Sequence, residues 1–125
     1  PALDLDVSRR LSSSGERAGD CFELSRLRRE DLTFVRPRTL SDDVLSSNNE
    51  PSSATPRGHQ FPMAFLIKAS GLSAHGRHSA RPLAYTHIDI GGSGVEGGDW
   101  QHGRPTASPV LAFCERWVPI EHSAE

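Results

Sequence analysis

Pro82-Leu-Ala-Tyr-Thr-His-Ile-Asp-Ile-Gly91-Gly-Ser-Gly94 is the stretch whose reading decides the fold. Residues 83–90 mix apolar, aromatic and β-branched side chains, which suit a pleated, largely buried strand. The composition then flips, and five of the eight residues in 91–98 are glycine. A strand that runs into a glycine loop and then a helix is the usual site-building unit of α/β proteins. Ligands sit at the carboxyl ends of such strands, where glycine lets the backbone approach closely. The expectation is therefore an α/β fold, with any chemistry gathered at the end of this strand.

Working outward, 125 residues make one modest domain or a piece of a larger one. A hydrophobic content of 35% is low for a self-sufficient globular domain. A formal net charge of −2 and the lack of a basic stripe along the chain remove the electrostatic support for nucleic-acid binding. No apolar run approaches membrane-spanning length, and no signal pattern opens the chain. Cys21 and Cys114 are far apart with no paired spacing, which excludes a zinc ribbon and points to reduced thiols in a cytoplasmic setting. The first residue is Pro1 rather than Met, so a fragment or a processed product is expected.

Upstream, Leu3, Leu5, Val7 and Leu11 suggest a short amphipathic helix stopped by Ser12-Ser-Ser-Gly15, followed by a turn at 15–20. Residues 21–27 alternate weakly and read as extended. Leu32 and Val35 place a helix over 28–36, with Pro37 as its stop. Residues 39–60 are rich in Ser, Asn and Pro and read as a polar irregular loop. The most apolar run, 61–71, reads as a buried helix with Pro62 in its first turn and Gly71 as its stop. Residues 73–81, with His75 and His78, form a polar loop leading into the strand. After the glycine loop, Ser108 and Pro109 suit a cap and first turn. Val110, Leu111, Cys114, Trp117 and Val118 then mark one apolar helical face for packing. No internal repeat is visible.

Several residues invite a catalytic reading that their spacing does not support. His75 and His78 fit a solvated loop better than a zinc site, which needs three or four convergent groups. His87 fits a histidine hydrogen-bonded to Asp89 or to a backbone carbonyl. Gly91-Gly-Ser-Gly94 looks like a phosphate cradle but lacks the Lys-Ser/Thr of a P-loop. Ser93, His87 and Asp89 supply the residue types of a hydrolytic triad. They lie too close on one strand to align, and no Gly-x-Ser-x-Gly elbow is present.

The segment Thr86-His-Ile-Asp-Ile-Gly91-Gly92, a short loop, Gly103-Arg-Pro-Thr106 and an apolar helix resemble the C-terminal end of the leucyl aminopeptidase (cytosol aminopeptidase) family of metallopeptidases. That family has a His-Leu-Asp-Ile-Ala-Gly strand, then a loop and Thr-Gly-Arg-Pro before its last helix. Earlier segments are similar in order. Gly15-Glu-Arg-Ala-Gly-Asp20 resembles its Gly-Glu turn, Ser41-Asp-Asp-Val44 with Asn48-Asn49 its Asp-Val-x-Asn segment, and Arg57-Gly58 through Ala64-Phe-Leu66 its Ala-Phe-Leu helix. The resemblance covers nearly the whole chain and is specific from His87 onward.

The resemblance implies the C-terminal portion of a mixed-sheet catalytic domain, with few strands and flanking helices, spanning 1–125. The family removes N-terminal amino acids from peptides, uses two divalent metal ions (Zn or Mn), and assembles as a homo-oligomer, usually a hexamer. Its metal ligands, a Lys and an Asn-Thr-Asp-Ala-Glu-Gly-Arg run, have no counterpart here, where Lys68 is the single Lys. Asp42, Asp43, Asp89, Glu96 and Asp99 are too scattered to replace them. The expectation is a chain that binds no catalytic metal pair by itself and has no catalytic residue of its own. Gly91 and Gly94 fall where the family lines the pocket for the substrate's first side chain. Both are smaller than the family's usual residues, which implies a pocket that is wider or is filled from elsewhere. His87, Asp89, Gly103 and Arg104 match family positions with structural roles. The alternative is a non-catalytic structural or binding protein derived from the same fold.

Overall fold

The computed structural model describes residues 5–46, 50–51, 54–91, 95–97 and 103–118. Its regular elements are mostly helical: α1 Leu5–Ala18, α2 Arg29–Phe34, α3 Phe61–Ala69 and α4 Val110–Trp117, with 3-10 turns at Gly58–Gln60 and Leu72–His75. Two short strands, β1 Val95–Glu96 and β2 Arg104–Pro105, pair antiparallel, with Val95 opposite Pro105 and Glu96 opposite Arg104. The chain divides into two compact units, one built on 25–87 and the other on 5–24 with 88–125.

In the first unit α2 packs on α3. Val35 from the end of α2 is buried with Met63, Ala64 and Ile67 from α3. These positions recur at helical spacing, so one apolar face of α3 is covered, while Leu66 stays partly exposed. Phe34 stacks face to face on Phe61, with ring centroids 3.7 Å apart. Pro62 lies in the first turn of α3, where a missing N–H costs nothing. Gly71, at φ +75°, ends the helix in a left-handed conformation that a side chain would resist.

The described residues of 39–60 hold no α-helix or strand, and they are tied down at several points. Leu45 N–H donates to the Val35 carbonyl at 3.0 Å. A turn at 39–42 is closed by Thr39 N–H donating to the Asp42 carboxylate at 3.1 Å. The strongest tie is Arg57, whose Nε and Nη2 donate to Asp31 Oδ1 and Oδ2 at 2.8 and 2.7 Å. Nη2 also donates to the Arg26 carbonyl at 2.7 Å. This two-pronged pair holds Arg57 at φ 59°, a conformation that non-glycine residues seldom adopt.

In the second unit α1 packs on α4. The helix runs to Ala18, past the serines expected to end it, and Gly19 at φ +72° is the actual stop. Ser12 and Ser14 are buried, with Ser12 Oγ donating to the Phe22 carbonyl at 3.1 Å, so they form part of a packed face. Gly15 permits the turn back. A Cβ there would lie 2.2 Å from the Asp20 carbonyl oxygen and 2.9 Å from Phe22 Cδ2.

Two expectations need correction. Residues 82–91 form no strand ladder, and Leu83 and Ile90 are each about half exposed. The side-chain pattern favours a pleated chain, but a strand also needs a paired neighbour, and among the described residues the only ladder is the one between 95–96 and 104–105. The second correction concerns α4. Ala112 is its buried residue, whereas Val110, Leu111, Trp117 and Val118 are about half exposed and Cys114 is exposed. The apolar stripe marked for packing thus faces away from the side that packs on α1, because the close helix contact selects the small residue Ala112.

Candidate functional site

Among the described residues, those singled out from the sequence do not assemble into a closed site. Gly91 is exposed, and a Cβ built there would meet nothing within 4 Å. Gly94, Ser93 and Asp99 lie outside the described residues. His87 is half buried and shares a 3.4 Å hydrogen bond through Nδ1 with the Tyr85 hydroxyl, in place of the expected Asp89 or carbonyl partner. Burial pushes the Tyr85 phenol above its ordinary value, so it is a neutral hydroxyl near pH 7. His75 Nδ1 pairs with the Arg81 carbonyl at 2.8 Å, and Leu83 N–H donates to the His75 carbonyl at 3.0 Å, so this histidine closes the 75–83 loop.

Of the carboxylates considered as ligands, Asp42 caps a turn and Asp89 and Glu96 are exposed. Arg104 sits opposite Glu96 in the short ladder, a pairing of opposite charges suited to holding a hairpin. Among the described residues no group of three or more His, Cys, Asp or Glu converges. These side chains therefore do not fit a pair of catalytic metal ions, which needs several oxygen or nitrogen donors around each ion.

Two constellations that the sequence reading missed are well formed. Asp20 is buried, and its Oδ2 accepts from the Ala112 N–H at 3.2 Å. It thereby caps α4, whose own N-cap, Pro109, has no acceptor side chain. The pair is 92 residues apart, beyond any local capping signal. Arg17 adds a surface link, donating to Glu115 Oε1 at 2.8 Å.

The other constellation centres on Asp31, 1% exposed. Burial pushes its carboxyl upward. The hydrogen bonds from Arg57 and from the Arg28 N–H, with the charges of both arginines, outweigh that and hold it below the ordinary 3.8. The Arg28 N–H donates at 2.7 Å, so Asp31 also satisfies the free N–H at the start of α2. These bonds saturate the carboxylate, which suits a strut and leaves little room for a ligand.

Over 92 residues, 74% of its length, the chain is 44% identical to a Caenorhabditis elegans protein named "Putative aminopeptidase W07G4.4". The matched region is 18% of that relative's own length. No family model matches the chain, and no solved structure gives a significant match. The chain is thus related to a protein named as an aminopeptidase, through a stretch that is a small share of that protein.

Proposed function

We propose that the chain forms the C-terminal part of a leucyl-aminopeptidase-like catalytic domain, which removes N-terminal amino acids from peptides. The observation that carries this reading is the 44% identity over 92 residues to the C. elegans protein. The ordered run from Thr86-His-Ile-Asp-Ile-Gly91 to Gly103-Arg-Pro-Thr106 and α4 supports the leucyl family within that relationship. The absence of a strand ladder over 82–91 among the described residues and the half-exposed stripe of α4 are compatible with a piece whose sheet and core continue elsewhere. In this reading 82–91 becomes a strand of a mixed α/β sheet. Gly91 and Gly94 border the pocket for the substrate's first side chain, and their small size widens it. The complete enzyme works in the cytoplasm as a homo-oligomer, a hexamer in the leucyl family.

Such an enzyme would take two divalent ions, zinc or manganese. The described residues do not fit them, so this segment contributes shape and support. Calorimetry with Mn²⁺ and Zn²⁺ beside a leucyl-anilide assay tests the assignment. The 125-residue chain should bind no ion pair and release no anilide. A longer product of the same gene that carries the upstream Lys and carboxylates should do both. If that longer product binds two ions and leaves the anilide intact, the aminopeptidase reading fails; metal-dependent turnover by the 125-residue chain alone would defeat the division of labour.

A further inference from the structure

Thirteen of the fourteen basic residues are arginine, and five of them, Arg26, Arg28, Arg29, Arg36 and Arg38, fall within thirteen positions. The same window holds two carboxylates, Glu30 and Asp31. Asp31 is buried and committed to Arg57, so Glu30 alone remains to offset the exposed guanidinium groups. In sequence the arginines are unevenly spaced. Helix α2 and the turn after it gather three of them, Arg29, Arg36 and Arg38, around one open groove of about 520 Å³. All three are exposed, and none forms an ion pair with a carboxylate among the described residues.

The floor of this groove is built. Phe34 and Pro37 line it, and the stack of Phe34 on Phe61 fixes the ring. The Arg38 guanidinium lies 5.9 Å from the Phe34 centroid, which orients that charge over an aromatic surface. Thr33 Oγ1 donates to the Arg29 carbonyl at 3.0 Å, so the charged groups left on the rim are the three guanidinium groups and the Glu30 carboxylate, which leaves the rim net positive. Three guanidinium groups against the single Glu30 carboxylate leave a positive excess that favours an anionic partner, and guanidinium groups match carboxylates in a two-pronged geometry.

We propose that this groove binds an acidic peptide segment, in which carboxylates flank an apolar side chain that rests on Phe34 and Pro37. A single short groove with an apolar floor, on a chain of net charge −2, suits such a segment better than a nucleic-acid backbone, which needs a longer cationic track. The groove belongs to the 25–87 unit, and the inference does not rest on the aminopeptidase reading.

The test is fluorescence anisotropy with a labelled peptide of alternating Glu and Leu, set against the same peptide with Gln for Glu and against labelled oligo-dT. Two variants of equal charge change are compared: Arg29→Gln with Arg36→Gln and Arg38→Gln, and a control of Arg10→Gln with Arg77→Gln and Arg81→Gln. All six side chains are exposed, and matching circular dichroism spectra confirm that neither set alters the fold. The acidic peptide should bind the unsubstituted chain and weaken with salt. The groove variant should lose about tenfold or more in affinity and the control less than about twofold, as expected for a few exposed charge pairs removed together. Equal losses in the two variants, no binding of the acidic peptide, or tighter binding of oligo-dT would each overturn the proposal.

Discussion

Asp31 shows how one side chain can hold several segments. It accepts from the Arg28 N–H and from two nitrogens of Arg57, and Arg57 reaches on to the Arg26 carbonyl. The carboxylate thus secures the start of α2, the strand-like lead into it and the far end of the 39–60 loop. Its folded-state pKa is depressed, so its contribution is fully present above the ordinary value of 3.8 and is lost as pH falls through that value toward the lower folded one. Urea unfolding followed by α-helical circular dichroism should give a midpoint insensitive to this group between pH 7 and about pH 5, and a decline below about pH 4. Asp31→Asn should lower stability at pH 7 by roughly 1–3 kcal/mol, because a charged acceptor is replaced by a neutral one at a buried site. The same change should flatten the acid limb. An acid limb of unchanged steepness in the variant would show that another group governs it.

At the scale of elements, the link between α1 and α4 depends on a turn that has almost no room to vary. Gly15 passes so close to the Asp20 carbonyl that a methyl group cannot be accommodated, and that approach sets Asp20 against the first turn of α4. Asp20→Ala removes the acceptor for the Ala112 N–H and should cost about 1 kcal/mol, whereas Asp20→Asn, which keeps an oxygen, should cost less. Gly15→Ala should cost more than either, about 1–3 kcal/mol, because backbone must move. Chemical denaturation of the three variants checks the order; a Gly15→Ala variant as stable as the parent would contradict the geometry. Of these elements, the sequence made α2 and α3 legible through apolar spacing, Pro37, Pro62 and Gly71, which are local signals. The end of α1 was misread because buried serines look like breakers until α4 is present to cover them. The face of α4 was misread for a related reason: five apolar residues make a stronger pattern than one alanine, but the helix contact is set by closeness. The β1–β2 hairpin went unnoticed, since two-residue strands carry no periodicity. Gly91 is a pocket residue only by the resemblance, and its surroundings, with nothing within 4 Å of an added Cβ, neither support nor oppose that role.

At the scale of the molecule, the decisive fact is how little apolar side chain is buried among the described residues. Among the described residues the buried hydrophobic set is Leu11, Val35, Met63, Ala64, Ile67 and Ala112, and it is divided between two units. Each unit, among the described residues, buries only a few apolar side chains against the backbone entropy of ordering its segments. Meanwhile Leu24, Leu66, Leu83, Ile90, Val110, Leu111, Trp117 and Val118 keep about half of their surface in water. A folded two-state chain of this length would unfold with an enthalpy of roughly 90 kcal/mol near 60 °C. Two small cores that melt separately should give a broad transition with a calorimetric enthalpy well below that figure. The exposed stripe of α4 should also bind a hydrophobic dye at pH 7 without denaturant, and Trp117→Ser with Leu111→Ser should reduce that binding while leaving the Ala112 contact with α1 intact. A single sharp transition with the full enthalpy and no dye binding would show that these residues close a cooperative fold by themselves, and would count against the proposal that 82–91 completes a sheet of a larger catalytic domain.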